Sequence, residues 1–204
     1  DLTTPFEVPT ASLSGSFDVN ANVSQAEDVQ FNNTGTRMFV IGWSSSQVIQ
    51  YDLTTPFDIT TASSAAGNFN ISQDSLPRSV AFNSTGTRLF VAGDSSDVIY
   101  QYDLTTGFDI TTASYNGDSF NVGGSPHDAI FNSVGTRLFV AQRDADCIEQ
   151  YNLTIGFDIN TASFSGISFN INSEETFLQG IAFNTTGTLM YVIGRDFNTV
   201  YQYD

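Results

Sequence analysis

One segment of this chain is written four times. Phe82-Asn83-Ser84-Thr85-Gly86-Thr87-Arg88-Leu89-Phe90-Val91 recurs with small changes at 31–40 and 131–140 and, with Leu189 in place of the arginine, at 183–192. The turn glycines Gly35, Gly86, Gly135 and Gly187 stand 51, 49 and 52 residues apart. A second block, Phe57-Asp58-Ile59-Thr60-Thr61-Ala62-Ser63, returns at 108–114, at 157–163 and, more loosely, at 6–12. Nearly all of the 204 residues are thus copies of a unit too small to bury its own apolar faces, so the fold must stack these units against one another.

Each unit reads as four strands. In the second copy these are Ser79 to Asn83, Arg88 to Gly93 after the Gly86 turn, Asp97 to Leu104 with alternating Val98, Tyr100 and Tyr102, and an outer strand matching Asn68 to Ser72 of the copy before. No segment sustains a 3.6-residue apolar period, and the chain is read as all-β. Four-stranded units in tandem predict a β-propeller, here a four-bladed disc of antiparallel blades. A single domain is expected over 1–204, with repeats at about 16–65, 66–116, 117–165 and 166–204, the last completed by 1–15. In that arrangement Ser16 to Asn20 supplies the outer strand of the last blade, and self-closure is favoured over donation to a neighbour. Phe31, Phe82, Phe131 and Phe183 should lie buried between sheets, and Phe6, Phe57, Phe108 and Phe157 should pin the long connection to the blade edge.

The strand, the turn Asn83-Ser84-Thr85-Gly86-Thr87-Arg88, the strand Leu89-Phe90-Val91-Ala92 and the strand Val98-Ile99-Tyr100-Gln101-Tyr102-Asp103 resemble the YVTN-type surface propellers of prokaryotes and, more distantly, WD-repeat blades. The resemblance implies a propeller fold, and it carries no function by itself. The repeat here is longer, and four copies are fewer than the seven usual in those families.

Charge narrows the partners. Six basic and 22 acidic residues give a net charge of −16, and there is no lysine, which excludes a nucleic-acid partner held by phosphate contacts. No apolar run approaches the roughly 20 residues that a membrane-spanning helix needs, so membrane insertion is not expected. Acidity, the lack of lysine and the absence of an initiating Met suggest a processed chain or a segment of a longer one, at an extracellular, cell or virion surface. Cys147 has no disulfide partner and aligns with Val48, Val98 and Val200, which predicts a buried small hydrophobe.

Compared copy by copy, one face of the disc repeats and the other varies. Arg37, Arg88 and Arg137 share one repeat position on the constant side, which favours a structural ion pair or a packed stem. The variable loops carry Trp43, Arg78, Arg143, Arg195 and Phe197, candidate ligand contacts of aromatic and cationic type. Glu27, Asp28, His127 and Asp128 fall at the channel mouth, where lactonase-like propellers hold a metal; so oxygen-rich a set suits Ca²⁺ over Zn²⁺. The acidic loops 94–97 and 144–146 likewise leave structural calcium open, and no other cofactor is expected. His127, the one histidine, is otherwise read as a solvated loop residue whose replacement by Ala changes little. Six glycosylation sequons stand at Asn22, Asn32, Asn70, Asn83, Asn152 and Asn184, three of them in the repeated turn.

These features lead to a non-catalytic surface propeller, a structural or adhesive module that self-assembles, for instance into a fibre, or that meets a surface partner or glycan. A carbohydrate-binding propeller and a metal-dependent, lactonase-like hydrolase are the alternatives.

Overall fold

The computed structural model describes residues 12–204. It is all-β and forms the four blades of a β-propeller. Blade 1 comprises β1 (Ala26–Phe31), β2 (Arg37–Gly42), β3 (Gln47–Asp52) and β4 (Gly67–Asn70); blade 2 comprises β5 (Pro77–Phe82), β6 (Arg88–Gly93), β7 (Val98–Leu104) and β8 (Ala113–Asn121). Blade 3 comprises β9 (Pro126–Phe131), β10 (Arg137–Gln142), β11 (Cys147–Leu153) and β12 (Ala162–Asn170), and blade 4 comprises β13 (Leu178–Phe183), β14 (Met190–Gly194) and β15 (Val200–Tyr203). Every sheet runs in sequence order with antiparallel pairing. Among the described residues no helix is long and apolar enough to cross a membrane.

Two devices make the blade. The first is the Asn-x-x-Gly-Thr turn, in which the glycine takes a positive φ, +70° at Gly86, and the Asn side chain closes the hairpin from both sides. Asn83 donates from Nδ2 to Thr87 at 3.1 Å and accepts from the Arg88 amide at 3.1 Å, and Asn132, which is no sequon, makes the same pair of bonds. Turn chemistry therefore accounts for Asn32, Asn83 and Asn184, while the other three sequon residues, Asn22, Asn70 and Asn152, are exposed. The second is the long connection, where Phe57, Phe108 and Phe157 each adopt φ near +57 to +59° and lay their rings over the turn glycine of the same blade. An Asp-capped 3-10 turn follows, and in blades 2 and 3 the Ala-Ser after it joins the outer strand, so β8 and β12 begin several residues earlier than the sequence predicts.

Between blades the core is aromatic. The Phe39 and Phe82 rings lie 4.6 Å apart, Phe90 and Phe131 4.5 Å, and Phe139 and Phe183 4.7 Å. Phe82, Phe131 and Phe183 thus sit at blade interfaces as expected, though only partly buried, whereas Phe31 meets Phe57 of its own blade; it is Phe39 and Phe90, on second strands, that are wholly enclosed. Cys147 is buried as expected, although the strand register sets it level with Gln47 and Val98 and puts Ile148, not Cys147, level with Val48 and Val200.

The expected closure differs in one respect. Residues 16–20 form no strand, and blade 4 has three strands. Phe17 packs edge-on against Tyr51 of blade 1 at 5.1 Å, which repeats the contacts Phe69–Tyr102, Phe120–Tyr151 and Phe169–Tyr203 made by outer strands on the following blade. The segment does occupy the place of a preceding blade's outer strand, but it does not pair with β15. Phe6 lies outside the described residues.

Candidate functional site in the hub

The same irregularity recurs at the hub end of every blade. Each first strand carries a bulge opposite its second strand, and the residue pushed out of the ladder is Glu27, Arg78, His127 or Gln179. A bulge re-aims a side chain that would otherwise lie on a blade face. The residue directly after each second strand, Trp43, Asp94, Arg143 or Arg195, enters from the neighbouring loop. Seven of these eight side chains, with Gln25 and Phe177, line an open cleft of about 550 Å³ at the hub. Two repeat positions thus build the site.

Asp94 lies beneath it as the organising charge. Its Oδ2 accepts from Arg78 Nη2 at 2.6 Å and Nε at 2.9 Å, and its Oδ1 accepts from the Ser125 hydroxyl. Arg78 Nη1 reaches across to Glu27 at 3.1 Å, which ties blade 2 to blade 1. Burial alone would raise the Asp94 carboxyl, but bonds from His127, Ser125 and Arg78 outweigh it and hold the group well below the usual carboxylate range. His127 is buried, 5 % exposed, contrary to the solvated loop residue expected from the sequence. Its Nε2 stands 3.3 Å from Arg143 Nη1 and 3.6 Å from Asp94 Oδ2, so this nitrogen meets a donor on one side and an acceptor on the other. Arg143 and Arg195 each hold a guanidinium 5.4 Å from the Phe177 ring, and Arg78 lies 5.6 Å from Trp43.

Four of the five expected ligand contacts therefore converge: Trp43, Arg78, Arg143 and Arg195. Phe197 does not line the cleft and is 55 % exposed. The expected metal set is dispersed. Glu27 faces Arg78, His127 faces Asp94 and Arg143, and no group of three His, Cys, Asp or Glu among the described residues could hold an ion. In the acidic loops, Asp94 is engaged by Arg78, and Asp144 by Arg143 at 3.0 Å. The sequence offered Asp94 only as part of a possible calcium loop and gave no sign of Ser125 and Phe177; the signal for Asp94 was its repeat equivalence with Trp43, Arg143 and Arg195.

Asp28 and Asp128 do different work. Asp28 Oδ2 accepts from the Val80 amide at 2.9 Å and Asp128 Oδ2 from the Ile181 amide at 2.9 Å, while Ser79, at the same repeat position, accepts from the Ala129 amide at 3.1 Å. Each fastens one first strand to the next. Burial and the Asp28 charge push Asp128 up to about 7, against backbone bonds that favour its ionised form. The folded protein binds this proton more tightly than the unfolded chain, whose Asp titrates near 3.8, so the stabilisation is full at acidic pH and is lost as pH rises through about 7. Asp128→Asn is expected to flatten the fall in melting temperature between pH 5 and 8, as scanning calorimetry would record. An unchanged slope would mean that the proton is not held there.

No protein-family model and no curated protein matches the sequence. Solved structures do. A protein from Lactobacillus plantarum superposes with a TM-score of 0.64 at 16 % identity, covering 87 % of this chain and 50 % of that one. One from Bacteroides fragilis, provisionally named a 6-phosphogluconolactonase, gives 0.63 at 14 %, with 87 % and 49 % covered. The periplasmic gluconolactonase of Pseudomonas aeruginosa gives 0.60 at 13 %, again with 87 % and 49 % covered. At such identities the likeness establishes the fold, and the chain spans about half the length of these structures. The reading of the chain as a non-catalytic structural or adhesive module is overturned here: propellers of this shape include lactonases by name, the class held above as an alternative.

Proposed function

We propose that the hub cleft binds a small anionic sugar derivative and hydrolyses its lactone. One observation carries this reading: three of the six arginines of a lysine-free chain of charge −16, together with its one histidine, meet in a single cleft. Cations gathered against so negative a background focus an anion there. Arg78 is neutralised by Asp94 and Glu27, whereas Arg143 is paired at close range only with the exposed Asp144 and Arg195 has no ion pair among the described residues, so these two on the Phe177 side are the cations to hold substrate.

Lactone opening asks for what the cleft contains. Water adds to the carbonyl carbon as His127 Nε2 takes its proton, and the guanidinium of Arg143 or Arg195 stabilises the oxyanion. The ring C–O bond then breaks, the ring oxygen leaves as a hydroxyl carrying the proton from His127, and the acid product ionises. Asp94 positions His127 and Arg78 without touching substrate. The lactonases among solved structures of this shape support the reaction class. The periplasmic one, with the acidic lysine-free composition, also supports work outside the cytoplasm.

Base uptake at constant pH tests the reaction. The chain should open gluconolactone or its 6-phosphate faster than buffer does, and rates equal to spontaneous opening for both would overturn the reading.

A further inference from the structure

The cleft carries one dipeptide twice, with opposite pairing. Arg143-Asp144 and Arg195-Asp196 directly follow the second strands of blades 3 and 4. In blade 3 the acid turns back on its neighbour. Asp144 Oδ1 accepts from Arg143 Nη2 at 3.0 Å and Nε at 3.2 Å, which leaves Nη1 facing His127 Nε2 at 3.3 Å. In blade 4 the acid is drawn away: Asp196 Oδ2 accepts from the Thr176 hydroxyl at 2.6 Å, and the Arg195 guanidinium has neither an ion pair nor a hydrogen bond among the described residues. A buried carboxylate fixes this arrangement. Glu175 is 0 % exposed, and its Oε1 accepts from the amides of Thr176 at 3.0 Å, Phe177 at 3.0 Å and Asp196 at 3.1 Å. The Arg195 amide in turn donates to the Phe177 carbonyl at 3.0 Å, so the loop that brings Phe177 and the loop that brings Arg195 are fastened to each other. A Cβ at Gly194 would run into Glu175, which leaves that carboxylate the only occupant its seat admits.

We propose that Arg195 sets the substrate specificity of the cleft: it takes a terminal oxyanion, phosphate or carboxylate, at the end of the substrate remote from the lactone, while Arg143 serves the carbonyl. This rests on the lactonase reading given above. Both guanidinia lie 5.4 Å from the Phe177 ring, but only Arg143 reaches His127, where the proton moves. Arg195 is exposed, yet its backbone is held, so its cation is presented to the cleft from a fixed place. An unpaired guanidinium meets an oxyanion with two parallel N–H donors, which a neutral hydroxyl cannot match. The two cations thus answer to two charges of one molecule. One is the oxyanion that forms at the carbonyl, and the other is a charge the substrate carries throughout. A contact equal in ground state and transition state lowers KM and leaves kcat alone, whereas one made only in the transition state raises kcat. Arg195 belongs to the first kind and Arg143 to the second.

Initial rates with gluconolactone, its 6-phosphate and glucarolactone, which ends in a carboxylate, test this together with titration calorimetry of the three corresponding acids. The parent should favour a charged lactone through KM, and the lactone preferred names the anion. Arg195→Gln should raise KM for that lactone about tenfold at unchanged kcat, and should leave gluconolactone within about twofold. Arg143→Gln should lower kcat for all three. Thr176→Val, which releases Asp196 to pair with Arg195, should lose part of the same preference while the guanidinium stays in place. The acids separate this claim from the reaction itself. If no lactone is opened, but the parent binds a charged acid more tightly than gluconate and Arg195→Gln removes that difference, then hydrolysis fails and the anion seat stands. A rise in KM in Arg195→Gln that is equal for charged and uncharged lactones, or a parent that distinguishes neither 6-phosphogluconate nor glucarate from gluconate, would overturn the proposal.

Discussion

Replacing Phe90 with Ala is expected to lower the unfolding free energy by about 3–5 kcal/mol, the cost of truncating an aromatic side chain in a core that cannot collapse around the void. The ring is 1 % exposed. It packs on Phe131 of the next blade at 4.5 Å and lies 6.5 Å from Phe157 of the connection. Three parts of the molecule meet there: two blades and the segment that seats between them. Phe131 is only partly buried and should cost less. Denaturant unfolding of both variants measures the difference. A loss below about 1 kcal/mol for Phe90→Ala would show that the blades are not joined through this stack.

A larger effect in rate terms is expected at the hub. His127→Ala and Arg143→Ala should each slow lactone opening by about 10²–10³-fold, the range that general acid–base and oxyanion groups supply. His127 is enclosed by Asp94, Arg143 and Phe177, so its loss also leaves Asp94 with one neighbour fewer. His127→Gln keeps a polar side chain at that place and should restore stability without restoring rate. Arg37→Ala, on the opposite face, should leave the rate unchanged; it removes a bond to Phe108 and an ion pair with Asp52. Equal rates in His127→Ala and the parent would remove the imidazole from the reaction.

The blades were legible because their signals are local. Alternation in Val98 to Tyr102 and the Gly86 turn fix strand and hairpin from a few neighbouring residues, and the repeat multiplies both. The cleft lies on the face that varies between copies, and Trp43, Arg78, Arg143 and Arg195 line it while Phe197 does not. What escaped was set by the bulges. One extra residue in each first strand turns Glu27, Arg78, His127 and Gln179 to the hub and sends the next residue, Asp28, Ser79 or Asp128, to a neighbouring amide. Adjacent residues therefore serve separate ends, which a list of nearby acids and a histidine cannot reveal. Asp94 was seen only as part of an acidic loop open to calcium because its partners Arg78 and Ser125 lie 16 and 31 residues away.

Anion binding at the cleft is the central claim, and titration calorimetry with 6-phosphogluconate, the opened product of a phosphorylated lactone, tests it most directly. The parent chain should bind one equivalent per cleft, with affinity falling as salt rises. Arg143→Ala combined with Arg195→Ala should weaken that binding by about 100-fold, the loss of two charge-assisted contacts. No saturable heat with the parent, or equal binding by parent and double variant, would contradict the account.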